Sequence, residues 1–253
     1  GRFVWHDLMT TDPAKSKAFY VALFPEWTID SKKIDTPHGP FTYEMILVAG
    51  LKAGGLVPFD ASYGIPSHWM SYVAVENCDA AIERAVAGGG KVCVPAFDAP
   101  DVGRFAVLSD PQGAYFKPMQ LFKPHPLPDK PNAGQFCWDE LLTTDIDAAR
   151  VFYPKLFGWT VTDFDMGPAG KYTIWHASGK MVGGGMKMPA EAAGTPPNWL
   201  PYISAPDVDA RFAKALTLGA KPYVPPRDIP GVGRFAVLAE PTGATFALFR
   251  GDM

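Results

Sequence analysis

Phe3-Val4-Trp5-His6-Asp7-Leu8-Met9-Thr10-Thr11-Asp12 returns 133 residues later as Phe136-Cys137-Trp138-Asp139-Glu140-Leu141-Leu142-Thr143-Thr144-Asp145. A second stretch, Val102-Gly103-Arg104-Phe105-Ala106-Val107-Leu108, recurs unchanged from Val232 to Leu238, an offset of 130. Between the windows 95–116 and 225–246, 14 of 22 positions are identical. Solenoid repeats run about 20–50 residues, so this much longer period marks a duplicated domain. Each position can therefore be read against its own twin.

The chain has 253 residues, 47% hydrophobic and 19% charged, enough to bury two ordinary cores. A net charge of −3 gives no reason to expect nucleic acid as a partner. No apolar run approaches the ~20 residues that span a bilayer, and no signal peptide is seen. Membrane partners are therefore not expected. The three cysteines, Cys78, Cys93 and Cys137, form no CxxC pair. Cys93 and Cys137 lie in apolar contexts and read as small buried residues, and the odd count suggests a reducing, cytoplasmic compartment.

Each copy opens with a short apolar strand, 2–9 and 135–142, and passes at once into a helix. Asp12 caps the first helix with Pro13 at its first position, and Asp145 caps the second. Phe19, Ala22 and Leu23 fall on one face, matched by Phe152, Lys155 and Leu156. Three strands follow in each copy. The second half of each copy repeats the order, with strands at 69–75 and 199–204. Its helices bury Ile82, Ala85 and Val86 in one copy and Phe212, Ala215 and Leu216 in the other. Gly88-Gly89-Gly90 and Gly219 end these helices through left-handed backbone. The pattern is strand-helix-strand-strand-strand four times over. It predicts an α+β fold of tandem βαβββ modules, two per domain and four in all, whose cupped mixed sheets carry helices on the outside. The domains span 1–123 and 134–253. Between them residues 124–133 hold four prolines, which favour an extended spacer reaching about 30 Å at ~3.1 Å per residue.

Asp12 to Tyr20 followed by Leu23-Phe24, the run from Asp145 to Trp159 ending Phe-Tyr-x-x-Leu-Phe-Gly-Trp, and the turns Asp110-Pro111-Gln112-Gly113 and Glu240-Pro241-Thr242-Gly243 occur in order and twice. In this the chain resembles the vicinal oxygen chelate superfamily, which includes glyoxalase I, bleomycin-resistance proteins and extradiol dioxygenases. It is most similar to two-domain glyoxalase-like proteins. The resemblance implies a divalent metal on the concave face of each sheet. The positions where that family places its ligands hold Trp5, Met70 and Lys117 in the first copy and Trp138, Leu200 and Ala247 in the second. None is a deprotonated carboxylate, imidazole or thiolate of the kind a metal takes. His6 lies one position off, and strand alternation sends it to the opposite face. No metal and no other cofactor is expected.

By the same alternation Trp5 shares a face with Asp7, and Trp138 with Glu140. This Trp-x-acid pair has two readings. The tryptophan fills space left by the metal while the acid pairs with an arginine, Arg104 or Arg234. Alternatively, the indole supplies a flat apolar wall and the carboxylate holds a ligand donor or acts as a base. Tyr43, Tyr172, Tyr72 and Tyr202 are twinned strand tyrosines that either offer hydroxyls to a ligand or pack. Lys117 sits at a ligand position in one copy only. His38, His68, His125 and His176 share no repeated spacing and read as incidental. The glycine runs 88–90 and 183–185 do not open a helix onto a phosphate.

Four functions remain open. The first is a bleomycin-resistance-like protein that binds a small organic molecule without metal. The second is a lyase or isomerase of the glyoxalase I (lactoylglutathione lyase) type, with Asp7 or Glu140 as base. The third is an extradiol dioxygenase, which needs two histidines and a carboxylate on iron and ranks last. The fourth is an assembly surface. The assembly is either a monomer with paired domains or a homodimer.

Overall fold

The computed structural model describes residues 1–34, 39–128, 130–166, 170–192 and 194–252. His38 and the linker residue Asp129 lie outside these. The first repeat runs β1 (Phe3–Thr10), α1 (Pro13–Leu23), β2 (Trp27–Ile34), β3 (Phe41–Val48), β4 (Leu51–Pro58), β5 (His68–Ala74), α2 (Cys78–Ala87), β6 (Lys91–Ala99), β7 (Gly103–Ser109) and β8 (Tyr115–Leu121). The second runs β9 (Phe136–Thr143), α3 (Ile146–Phe157), β10 (Thr160–Asp165), β11 (Lys171–Ala177), β12 (Lys180–Lys187), β13 (Asn198–Ser204), α4 (Val208–Thr217), β14 (Lys221–Ile229), β15 (Gly233–Ala239) and β16 (Thr245–Gly251). The fold is α+β, built from four βαβββ modules.

Local chemistry sets the element boundaries. Asp12 Oδ1 accepts from the Lys15 amide at 3.0 Å and Asp145 Oδ1 from that of Ala148 at 3.0 Å, so both helices start on an aspartate cap. The second of them, α3, ends at Gly158, whose φ of 72° suits glycine. Each repeat forms one eight-stranded mixed sheet, ordered β2-β3-β4-β1-β5-β8-β7-β6 and β10-β11-β12-β9-β13-β16-β15-β14. Within each module the first and last strands pair in parallel near the middle of the sheet, β1 with β4 and β5 with β8, and the others are antiparallel hairpins.

The packed units do not follow the sequence halves. One unit comprises residues 1–5, 70–127 and 138–200, and the other 6–69, 128–137 and 201–253. Each core therefore mixes repeats. In the first unit, Phe116 and Leu108 pack with Tyr153, Trp159, Trp175 and Trp199. In the second, Tyr20, Leu23 and Trp27 pack with Ile203, Leu238 and Phe246. The linker is divided the same way, and Leu127 packs against Tyr72 and Met119 within the first unit instead of spanning free.

Several sequence expectations shift here. On α1 and α3 the central buried residues are Tyr20 and Tyr153, both fully buried, while Lys155 is exposed. On α2 the inward stripe is Cys78, Ala81 and Ala85, one step round from the expected face, which leaves Val86 exposed. Leu216 on α4 is exposed for the same reason. Cys93 is exposed, because β6 is a sheet edge whose register shifts between Val92 and Val94, and Cys137 on β9 is half-buried. The buried thiol is Cys78, which burial pushes up to about 11.

Tyr153 explains the Asp-Pro-x-Gly turn. Its phenol accepts from Trp199 Nε1 at 3.0 Å and donates to Asp110 Oδ2 at 2.9 Å. Asp110 Oδ1 accepts the amides of Gln112, Gly113 and Ala114, and Gly113 at φ 103° makes that turn possible. The turn of one repeat is thereby fastened to the helix of the other. Burial holds the Asp110 carboxyl above its usual range and the Tyr153 phenol well above its own.

Candidate functional site

The sheet faces away from the helices carry the unusual chemistry. In the first module of each repeat it is organised by a glycine. Gly184 pairs with Glu140 across β12 and β9, and Gly55 pairs with Asp7 across β4 and β1. A β-carbon at Gly184 would overlap the phenol of Tyr172, and one at Gly55 the phenol of Tyr43. Each glycine therefore opens a slot through which a tyrosine from the next strand crosses to the acid.

Tyr172 lies in its slot with its hydroxyl accepting from Trp138 Nε1 at 2.8 Å and hydrogen-bonding the Glu140 carboxylate. Burial first, and the Glu140 charge second, raise its pKa well above the ordinary phenol value, so it remains a protonated donor. Tyr43 donates to Asp7 Oδ1 at 2.8 Å, and Asp7 is only 3% exposed. Trp138, Tyr172 and Glu140 thus form one hydrogen-bonded chain. Trp5 instead lies edge-on to the His125 imidazole, 5.7 Å between centroids. The twinned tyrosines and acids come together in both repeats.

The second module offers another pair. Tyr72 and Lys117 are register partners on β5 and β8, and Lys117 Nζ donates to the Tyr72 hydroxyl at 2.8 Å. The ammonium also lies 4.4 Å from the Tyr72 ring centroid and 5.9 Å from that of Phe105, and the residue is 5% exposed. Met119, Val4, Trp5, Phe105 and Leu127 complete a cluster that contains no helix residue. In the second repeat the partners at the same register are Tyr202 and Ala247. Tyr202 stacks on Phe235, and the Arg227 guanidinium sits 4.9 Å over that ring.

Arg104 and Arg234 do not pair with Asp7 and Glu140. Arg104 bonds Asp79 and Asp98, and Arg234 bonds Asp209 and Asp228. The reason is parity. Arg104 alternates with the core residues Ala106 and Leu108, so it shares the helix side, and Phe105 takes the other face beside Tyr72. His6, as expected, faces away from the Trp5 side: it is buried and stacked on Phe136 at 3.9 Å. His68 bonds the Pro66 carbonyl and His176 the Thr162 hydroxyl.

The residues at the family's metal positions do not fit a divalent cation. Met70, Leu200 and Ala247 are buried apolar side chains, and Lys117 presents an ammonium donor. Among the described residues, no three His, Cys, Asp or Glu side chains are grouped as a metal centre needs.

No protein-family profile matches the chain. It is 36% identical over 248 residues to CFP32 of Mycobacterium tuberculosis, provisionally named a glyoxylase, covering 97% of this chain and 93% of that protein. It is 31% identical over 261 residues to the anthracycline biosynthesis protein DnrV of Streptomyces peucetius, covering 98% and 92%. Among solved structures it superposes on the Mn(II)-bound glyoxalase of Novosphingobium aromaticivorans with a TM-score of 0.61 at 16% identity, over 98% of this chain and 80% of that one. A substrate complex of homoprotocatechuate 2,3-dioxygenase from Brevibacterium fuscum gives 0.68 at 14% identity, over 100% and 81%. These structural likenesses bear on the fold alone.

Proposed function

The chain belongs to the vicinal oxygen chelate superfamily, and on that footing we propose that it binds a small organic molecule without the divalent metal usual in that family. The observation that carries this reading is the Trp138–Tyr172–Glu140 chain laid across Gly184, echoed by Tyr43 and Asp7 over Gly55. A glycine kept in a strand costs order and packing, and here both slots place a carboxylate beside a phenol on the face where the family builds its site. Carboxylates so held accept hydrogen bonds from ligand hydroxyls or amines, and the indoles of Trp138 and Trp5 supply flat apolar area. Such a site suits a planar, neutral or cationic molecule. DnrV, a relative, is named for anthracycline biosynthesis, and anthracyclines are planar polycycles of that kind. Tyr72 and Lys117 in one unit, and Tyr202 in the other, are further groups that a ligand could meet, whereas Arg104 and Arg234 bond acids at the helices.

A second reading is a lyase or isomerase of the glyoxalase type, favoured by the 2.8 Å contact of Tyr43 with Asp7, which is an acid beside a base. Its enediolate-like intermediate would need an electrostatic partner in place of a metal. Ring cleavage on iron requires two histidines and a carboxylate, a set not found among the described residues. Nucleic acid and membrane are not proposed as partners; among the described residues no helix is long and apolar enough to cross a membrane.

The test is thermal melting of EDTA-treated protein with daunorubicin or the methylglyoxal–glutathione hemithioacetal, each with and without Mn(II). Saturation at a hundredfold excess over Kd stabilises by about 2.7 kcal/mol. Stabilisation by an organic probe alone is expected. Stabilisation that appears only with Mn(II) overturns the metal-free reading.

A further inference from the structure

We propose that Arg227 anchors the carboxylate of an otherwise apolar small molecule on the helix-free face of the second repeat. The inference goes beyond the binding reading above, since it concerns other residues and a ligand of the opposite charge.

Strand parity sets the place. Ala236 and Leu238 belong to the helix-side core, so Phe235, Val237 and Ala239 take the other face of β15. Their register partners on β16 are Phe249, Ala247 and Thr245, and on the edge strand β14 they are Arg227, Val224 and Lys221. At these positions the face carries two cations and no carboxylate. Arg234 alternates with Phe235 along β15, and Asp209 and Asp228 neutralise it on the helix side. Arg227 has no such partner: among the described residues it forms no ion pair and no hydrogen bond. Its guanidinium lies 4.9 Å over the ring of Phe235, which is only 8% exposed, while Arg227 itself is exposed. The ring fixes the guanidinium plane, and a planar fork so held matches a carboxylate through two parallel hydrogen bonds.

The neighbours suit the rest of such a ligand. Val224, half-buried, offers apolar contact on the same face, and Lys221 adds an attraction that salt screens. The first repeat shows that the scaffold does not require the cation. At the same register it carries Phe97, packed on Phe105 at 4.4 Å between centroids. One copy thus offers a second ring at this corner, and the other a cation laid on a ring. In a chain of net charge −3, such a face is a selective place for an anion.

The experiment measures binding of 2-naphthoate and of the uncharged 2-naphthalenemethanol to the full chain by calorimetry, at low and at high salt. The expected result is that 2-naphthoate binds at least tenfold tighter than the alcohol and that salt narrows the gap. Arg227→Phe, which installs the first repeat's residue, should weaken 2-naphthoate at least tenfold and leave the alcohol, daunorubicin binding and the melting temperature unchanged. Arg227→Lys keeps the charge without the fork and should lose severalfold. Arg250→Gln removes an exposed arginine beside Arg234 and should change nothing. No binding of 2-naphthoate, equal binding in Arg227→Phe, or an equal loss in Arg250→Gln overturns the proposal. A parallel loss of daunorubicin in Arg227→Phe also overturns it, because one site would then serve both charges. Absence of daunorubicin binding beside intact, Arg227-dependent 2-naphthoate binding would sink the earlier reading and support this one.

Discussion

At one register the two repeats differ by a single side chain with large consequences. Opposite Tyr72 stands Lys117, and opposite Tyr202 stands Ala247. In the first repeat the tyrosine ring meets Phe105 at 68° and leaves its hydroxyl to an ammonium. In the second, the ring lies within 25° of parallel to Phe235, and the cation is Arg227, brought from the edge strand β14. The backbone scaffold is common to both, while the chemistry on its face is not. Duplication has let one copy carry an amine where the other packs a methyl group.

The sharpest way to break this comparison is to impose one copy on the other. Ala247→Lys is expected to destabilise by about 3 kcal/mol, because a second cation is buried near Arg227 and Ala247 has no exposed surface. Urea unfolding of Ala247→Lys beside Lys117→Met measures this; equal, small losses in both would mean the two faces are interchangeable. Gly184→Ala ranks next, with an expected loss of ~1–3 kcal/mol as the Tyr172 phenol is driven from its slot. Binding of the organic probe should fall with it, and a fully stable variant with unchanged affinity would remove the slot from the account.

The helix tyrosines give a smaller contrast. Tyr153→Phe leaves Asp110 without its phenol donor, at a cost of about 1–2 kcal/mol. Tyr20→Phe is expected to cost less, since the hydrogen bond at stake is the one its phenol accepts from Trp69 Nε1 at 3.0 Å. Matched melting curves for the two variants check the order. The smallest effect is a pH dependence. Burial alone would raise the Glu26 carboxyl, but the hydrogen bond and charge of Arg211 bring it below its usual value of 4.5. A lowered folded-state pKa means that this pair stabilises above about pH 4.5 and that its contribution is lost as pH falls through the lowered value. Glu26→Gln should therefore melt below the parent at pH 7, by ~1 kcal/mol or less. The gap should close on acidification, and a constant gap from pH 7 to 3 would contradict the assignment.

Much of the fold could be read from the repeat because caps, turns and alternation are local. Asp12, Asp145 and Gly158 act through their own backbone neighbours. Strand parity put Trp138 with Glu140 and set His6 on the other side. What failed depended on distant packing. Tyr20 and Tyr153 are buried by partners from the opposite repeat, and nothing in a single helix period reports that. The pairing of Arg104 with the acid, one of two readings of the Trp-x-acid pair, overlooks parity: one count along β7 from Ala106 places Arg104 on the helix side and puts Phe105 forward. The slots were present as Gly54-Gly55 and Gly183-Gly184-Gly185, where a glycine inside a strand signals close approach. Which ring fills the space requires the neighbouring strand.

The central claim is that the site is organic and metal-free. The direct measurement is calorimetric titration of daunorubicin into EDTA-treated protein, repeated with one equivalent of Mn(II) and with Trp138→Ala. The account predicts binding that is unchanged by Mn(II) and weakened at least tenfold in Trp138→Ala. Binding that needs Mn(II), with about one metal ion retained per repeat, would contradict it.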